Sequence, residues 1–183
     1  MTYGGKELAG AFRTVRKNTI QVAEDIPESK YSHVAAPEAR SVAGMLSHVA
    51  IATRLWIEMS HRAPRSLVGF DFLKFVEPIK AEEAKPRTKP ELLELLRTEG
   101  EKFATWLETL TPEFLAETIT EPDGKTQKSR LERILGAKEH EMHHRGQLML
   151  IERQLGITPH LTRQFNERVA QMRAAQAQTA SVS

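Results

Sequence analysis

The chain has 183 residues, enough for one domain with a sizeable hydrophobic core. Its 26 Lys and Arg residues against 24 Asp and Glu residues give a formal charge of +2, and the basic residues are dispersed, which argues against a nucleic-acid partner. The absence of cysteine excludes disulfides, thiolate nucleophiles and Cys-ligated metals. We find no signal-peptide core and no apolar run of the ~20 residues needed to span a bilayer, so we expect a cytoplasmic protein with no membrane partner.

Apolar residues at helical spacing predict a first amphipathic helix that ends at Pro27. The residues of this stripe are Leu8, Phe12, Val15, Thr19, Val22 and Ile26. A second stripe consists of Met45, His48, Ala52, Leu55 and Met59. Pro37 is expected near the start of the second helix, where its missing N–H costs little.

Residues 61–87 do not continue the helical pattern. Four helix-breaking residues interrupt them, which are Pro64, Gly69, Pro78 and Pro86. Three aromatic residues, Phe70, Phe72 and Phe75, make the segment too apolar for a solvated linker. We expect a long connection that contains a short helix and packs on the bundle or on a second subunit.

Two further helices are predicted after this insert. Thr88-Lys89-Pro90-Glu91 has the spacing of a capping box, and the helix that it starts closes at Thr111-Pro112. The last stripe extends from Leu131 to Leu155, and Gly156 is suited to the position after the helix. Between them, residues 113–127 form a polar connection with a turn at Pro122-Asp123-Gly124.

Four amphipathic helices of about 20 residues, without a convincing strand, predict an all-α protein with an antiparallel-type four-helix bundle. We assign the bundle domain to residues 1–162. For residues 163–183 we expect a short helix followed by a frayed tail.

Three histidines lie within the apolar stripes, where an imidazole is costly unless it is hydrogen-bonded or liganded. His140 and His144 are four residues apart and project from one helical face, and His48 occupies an inward position on another helix. Each histidine alone would be read as a satisfied core residue, but together they favour a metal site with room for an exogenous ligand. His143 falls off this line and is expected to face solvent or a partner. No role is predicted for the histidines in loops or at helix ends, which are His33, His61 and His160.

The segment His140-Glu141-x-x-His144 also matches the motif of zinc proteases, in which the Glu acts as general base. A zincin-like site pairs its helix with a sheet, and the sequence predicts no such sheet. The longer protease pattern requires Gly and His where this chain has Gln147 and Leu150. Glu141 is therefore interpreted as a surface or inter-helix charge that is dispensable for metal binding.

The stretch His-x-x-x-His-Arg-Gly-Gln from His140 to Gln147, together with Ser-Val-Ala-Gly-Met-Leu-Ser-His-Val-Ala around His48, resembles the DinB/YfiT-like family. Leu155-Gly156-Ile157-Thr158-Pro159 resembles the ending of that family, and the resemblance covers roughly residues 5–160. It implies a four-helix bundle with long crossover connections and a metal triad at His48, His140 and His144. It further implies zinc or nickel as the metal, and a homodimer.

The same resemblance leaves three functions open. A metal-dependent transferase that uses a low-molecular-weight thiol, such as mycothiol or bacillithiol, is favoured. The alternatives are a metal-dependent hydrolase and a non-enzymatic metal-binding stress-response protein. Because the chain has no cysteine, any thiol must arrive with a small-molecule substrate. Arg145 and Gln147 follow the family pattern and are interpreted as structural, Arg145 as an inter-helix ion-pair partner and Gln147 as a helix-contact residue.

Overall fold

The computed structural model describes residues 3–61 and 65–180. Its elements, in chain order, are α1 (Gly5–Asp25), a 3₁₀ turn (Glu28–Lys30), α2 (Val42–His61), α3 (Phe72–Glu83), α4 (Lys89–Glu108), α5 (Pro112–Ala116), β1 (Thr118–Thr120), β2 (Gln127–Ser129), α6 (Arg130–Gln154) and α7 (His160–Ala180). Helices α1 and α2 each pack against both α4 and α6. The predicted all-α four-helix bundle with long connections is confirmed. Within the described ranges, no helix is both long enough and apolar enough to cross a membrane.

Two apolar clusters reveal the helix directions. One cluster joins the end of α1, the starts of α2 and α4 and the end of α6, as shown by Val22, Leu92 and Ile151. The other joins the opposite ends, and includes Phe12 and Ile134. Helices α1 and α6 therefore run one way and α2 and α4 the other. Two of the four neighbouring pairs are parallel, which corrects the expectation of an antiparallel-type bundle, and a parallel neighbour requires the chain to cross back along the bundle.

The ends of the bundle helices follow local sequence signals, with one exception. Thr88 and Glu91 form the predicted capping box of α4, and Ser129 with Glu132 forms another at the start of α6. Gly156 follows α6 with a φ of 77°, as its predicted place after the helix requires. The expectation for Pro37 was wrong, because α2 begins at Val42 after Ser41, whose hydroxyl accepts from the Gly44 amide.

The insert between α2 and α4 contains the predicted short helix, α3, which packs on α2. Leu67 is buried with Ile119, and the rings of Phe70 and Phe75 stack with their centroids 4.9 Å apart. Phe72 differs from the expectation, because it remains 47% exposed at the start of α3. Of the four predicted interruptions, Pro78 lies inside α3 and Pro64 lies outside the described residues.

The predicted homodimer, to which packing of this insert on a second subunit would belong, stays a prediction.

The connection before α6 and the C-terminal segment are more regular than expected. Strands β1 and β2 form a short antiparallel hairpin, whose turn is held by Asp123 Oδ1 accepting from the Lys125 and Thr126 amides. Helix α7 begins at His160 and has 21 residues, so the prediction of a short helix from residue 163 was wrong. Its first turns are anchored where Arg163 pairs with Asp25 at 2.6 Å.

A buried ion pair lies at the middle of the bundle, between the two apolar clusters. Arg16 of α1 donates from Nε and Nη2 to the two carboxylate oxygens of Glu141 on α6, both at 2.9 Å. Its Nη1 also donates to the Leu96 carbonyl on α4 at 2.7 Å, and Nη2 donates to the Val49 carbonyl on α2 at 3.1 Å. Both side chains of the pair are almost fully buried. Arg16 therefore joins all four bundle helices through one guanidinium.

We expect Glu141→Gln to lower the free energy of unfolding by about 3–5 kcal/mol, because it leaves the Arg16 guanidinium buried with a neutral partner. Urea denaturation followed by circular dichroism measures the change. Glu139→Gln is the matched control, because Glu139 is an exposed residue of the same helix and its loss should change stability by less than about 0.5 kcal/mol. Equal unfolding free energies for the two variants would contradict the expected contribution of the Arg16–Glu141 pair to stability.

A second buried carboxylate, Glu152, lies near the end of α6. Its side chain is fully buried, and neither oxygen has a hydrogen-bond partner among the described residues. Burial and the charge of Asp25 raise the pKa of Glu152 to about 7, against the opposing effect of Arg163 and Arg153. The folded protein therefore keeps a proton on Glu152 at pH values where the unfolded chain has lost it.

The stabilising effect of this proton should be fully present below about pH 4.5 and lost as the pH rises through about 7, since the folded pKa is raised above the unfolded value. Glu152→Gln should remove this loss, which we expect to be about 1–3 kcal/mol. Unfolding free energies of both proteins at about pH 5 and about pH 8 give the comparison. Parallel pH profiles for wild type and variant would show that Glu152 does not titrate in this range.

Candidate metal centre

Helices α2 and α6 bring the three predicted histidines to one place. His48 projects from α2, and His140 and His144 project from successive turns of α6. One ring nitrogen of each lies within 4.8 Å of the others, and His48 Nε2 is 3.0 Å from His140 Nε2. All three side chains are half-buried, so the group is shielded from bulk water without being closed to a ligand.

The separations suit a divalent metal. Four-coordinate zinc binds imidazole nitrogen at about 2.0–2.1 Å, so that two nitrogens on one ion lie about 3.3 Å apart. The observed distances of 3.0 Å for one pair and at most 4.8 Å for any pair are close to this value. Small side-chain rotations would therefore bring all three nitrogens to bonding distance.

Hydrogen bonds at Nδ1 define the tautomers of His48 and His144. His48 Nδ1 lies 2.8 Å from Glu83 Oε1, and because an ionised carboxylate only accepts, Nδ1 carries the proton. His144 Nδ1 donates in the same way to Gln147 Oε1 at 2.7 Å. Nε2 of each ring is thus left unprotonated, with a lone pair that can bind a metal, and this tautomer is set by the bond at the other ring nitrogen.

The electrostatic surroundings favour the neutral form of the His140 and His144 imidazoles. Burial, with the neighbouring His144 and His48 rings and the Arg40 charge, lowers the pKa of His140 to about 4. Burial also lowers the pKa of His144, although its hydrogen bond to Gln147 opposes the shift. At neutral pH these rings therefore need no deprotonation before they bind a metal.

Glu83 is the site residue that sequence reasoning missed. It ends α3, and its approach to His48 is fixed by Ser47, whose hydroxyl donates to the Glu83 carbonyl at 3.0 Å. Arg87 donates in turn to that hydroxyl, at 2.9 Å. Nothing in the local pattern of the insert indicates this contact, because Glu83 and His48 lie 35 residues apart. Gln147, by contrast, is three residues from His144 on one helix, a spacing that the sequence itself displays.

The remaining candidates lie elsewhere. Glu141 has both carboxylate oxygens engaged by Arg16 in the bundle core, so it is an inter-helix charge as predicted, and the surface alternative was wrong. His143 is exposed, with its ring centroid 5.0 Å from that of His144. Arg145 contacts α1 through a 3.5 Å hydrogen bond to the Val15 carbonyl rather than the predicted ion pair.

His33 and His160, for which no role is predicted, are also outside the group. His160 is buried at the start of α7, where its Nε2 lies 3.2 Å from Asn18 Oδ1. His33 lies in the loop before α2, and the side chain of His61 lies outside what the structure describes.

The DinB family profile matches residues 1–177. The chain belongs to the DinB family. The DinB-like protein YjoA of Bacillus subtilis has a similar structure, with a TM-score of 0.61 and 24% identity over 83% of this chain and 93% of that chain. YfiT of Bacillus subtilis has a TM-score of 0.63 and 19% identity over 84% and 89% of the two chains, and is described as a probable metal-dependent hydrolase with an unusual four-helix bundle topology. Among curated proteins, none matches the chain.

These similarities support the four-helix bundle fold of this DinB-family protein. The extent of the family match can also be compared with the predicted domain boundary at residue 162. The family match extends beyond residue 162 and includes most of α7. The division of the chain at residues 162 and 163 stays a prediction.

A cavity of about 310 Å³ opens onto the histidine group of the DinB-family protein. Helices α2 and α3 form most of its walls, and His48, His140 and Glu83 are among its lining residues. The volume lies at the lower end of the range for small-molecule pockets, which is about 300–1,000 Å³. The cavity is therefore suited to a small substrate that reaches the ring nitrogens.

Proposed function

We propose that His48, His140 and His144 bind one divalent metal ion, zinc or nickel, and that the protein is a metal-dependent transferase acting with a low-molecular-weight thiol. The observation that carries this proposal is the convergence of three imidazoles, two of which line a small cavity. Three protein ligands are the number found in catalytic zinc sites, where a further position remains open for water or substrate.

A bound divalent ion would supply Lewis-acid chemistry, lowering the pKa of a group that enters its open position. The protein residues have supporting roles. Glu83 and Gln147 orient the His48 and His144 rings through Nδ1. The apolar side chains of α2 and α3 that line the cavity lower the polarity around the site and so strengthen electrostatic interactions there.

The choice of a thiol over water as nucleophile rests on the absence of a free base. Among the described residues that line the cavity, Glu83 is the only carboxylate, and its Oε1 already accepts from His48. A water molecule at the site would therefore have to share the one carboxylate that already orients His48. A thiol has an ordinary pKa of about 8.5, against about 15.7 for unbound water, so it needs less help from a metal to lose its proton. With no cysteine in the chain, this sulfur belongs to a substrate.

A metal-dependent hydrolase is the second candidate, and the description of YfiT favours it. In this alternative, the open metal position would hold water rather than a thiol. A non-enzymatic metal-binding protein would use the same three ligands without turnover.

Wild-type protein should contain about one equivalent of divalent metal per chain when purified without chelators. His48→Ala, His140→Ala and His144→Ala should each lose most of it, because two remaining imidazoles bind far more weakly. Elemental analysis of dialysed protein measures the ratio. His143→Ala is the matched control on the same helix and should retain full metal. Full occupancy in His48→Ala and His144→Ala would disprove the assignment.

Glu83→Gln should weaken metal affinity by about 10–100-fold, because it removes the charged acceptor that orients His48. Competition with a fluorescent zinc chelator measures the affinity. Glu77→Gln is the control, since Glu77 is exposed on the same helix and should bind metal as wild type does. Unchanged affinity in Glu83→Gln would show that the hydrogen bond to His48 is incidental.

The proposed reaction is tested with zinc-loaded protein, a small aryl halide and a panel of low-molecular-weight thiols. In this reaction a sulfur–carbon bond forms, halide leaves and the thiol proton goes to solvent. We expect thioether formation, measured by mass spectrometry, to exceed that of His144→Ala by at least about tenfold. Hydrolysis of activated esters or amides without thiol would favour the hydrolase. Neither activity in fully metal-loaded protein would favour a binding protein.

A further inference from the structure

The cavity beside the histidine group combines apolar walls with cationic side chains. Its apolar lining includes Leu55 and Trp56 of α2 and Phe72 and Leu73 of α3. Phe72 is 47% and Leu73 is 65% exposed, although both line a cavity. An apolar ligand placed between the two helices would cover these side chains and gain the free energy of removing them from water.

The charges that line the cavity have an excess of cations. Arg40 and Lys80 are positive and Glu83 is negative, which leaves one net positive charge. Glu83 already accepts from His48 at 2.8 Å. A bound metal ion, if the proposed function holds, would add to this positive charge.

Arg40 is placed to bind an anion. It precedes α2, and its side chain is 47% exposed, so its guanidinium can be reached from the cavity. Its ion pair with Glu83 has an Nη2 to Oε2 distance of 3.8 Å, longer than a charge-assisted hydrogen bond. A guanidinium presents its donors in a planar fork that matches a carboxylate in bidentate geometry.

From these observations we infer that the cavity binds a small amphipathic carboxylic acid, with the carboxylate on Arg40 and an aromatic or branched apolar body between α2 and α3. This inference rests on the proposed function only in assigning the acid as the second substrate beside the thiol. The binding itself is independent of turnover.

Binding is measured by the fluorescence of Trp56 in the otherwise full-length, zinc-loaded Trp106→Phe protein, in which Trp56 is the remaining tryptophan. The probes share one body: 4-phenylbutanoate, 4-phenylbutanamide and 4-phenylbutylamine. We expect the acid to bind at least about tenfold more tightly than the amide, because only the acid forms a charge-assisted hydrogen bond with Arg40. We expect the amine to bind most weakly.

Two variants separate the carboxylate contact from the apolar contacts. Arg40→Gln should reduce the affinity for the acid to that for the amide and leave the amide unchanged. Leu73→Ser should weaken acid and amide by the same factor. Arg97→Gln is the matched control, because Arg97 pairs with Glu24 between α4 and α1, away from the α2–α3 cavity, and should have no effect.

The metal content of each variant is measured in parallel, so that a failure of the metal-site proposal can be distinguished from a failure of the carboxylic acid proposal. Equal affinities for acid and amide, or tightest binding of the amine, would overturn the inference whatever the metal content. Acid binding that survives Arg40→Gln but is lost with the metal in His48→Ala would also overturn it, since the metal would then hold the carboxylate. Acid binding that needs Arg40 and persists in His48→Ala would support the inference even if the metal proposal failed.

Discussion

The Arg16 guanidinium is the interaction on which the arrangement of the bundle depends. A cation buried in a protein core is costly unless every donor finds an acceptor, and the acceptors of Arg16 come from α2, α4 and α6. Apolar packing alone tolerates rotation and sliding of helices, whereas a planar fork with fixed acceptors does not. Gly100 is part of the same arrangement, because a Cβ at this position would lie 2.7 Å from Arg16 Cγ. The ion pair thus sets the rotation and axial register of four helices at the level of the histidine group.

Glu141 links this core to the candidate metal centre. It lies between His140 and His144 in the sequence, so the rotation of α6 that points its carboxylate at Arg16 also points both imidazoles towards α2. The segment contains a protease-like motif, but both carboxylate oxygens of its Glu accept hydrogen bonds from Arg16 in the bundle core. The identity of the residues is the same as in a zinc protease helix, but their directions are set by an arginine 125 residues away.

The crossover between α2 and α4 connects the topology to the site. Because these two neighbours run parallel, the chain must return along the bundle between them, and α3 lies on this return path. Its last residue, Glu83, reaches His48, and its first residues line the cavity. A simple up-and-down bundle would join its helices with short loops and would have neither feature. The small-molecule cavity is therefore a consequence of the helix order.

Local sequence determined the helices of the bundle and two of the three converging histidines. These features depend on residues within one or two helical turns of each other, so they can be recognised in the sequence without knowledge of the fold. They are the apolar spacing, the capping boxes at Thr88 and Ser129, and the spacing of four between His140 and His144. The placement of His48 beside them was also expected, both from its inward position in a second apolar stripe and from the family resemblance. Tertiary structure alone decided the contact of Glu83 with His48, the direction of Glu141, the parallel helix pairs and the exposure of Phe72. Each of these depends on which helices become neighbours and at what rotation, and that choice follows from packing and charge pairing between residues far apart in the chain.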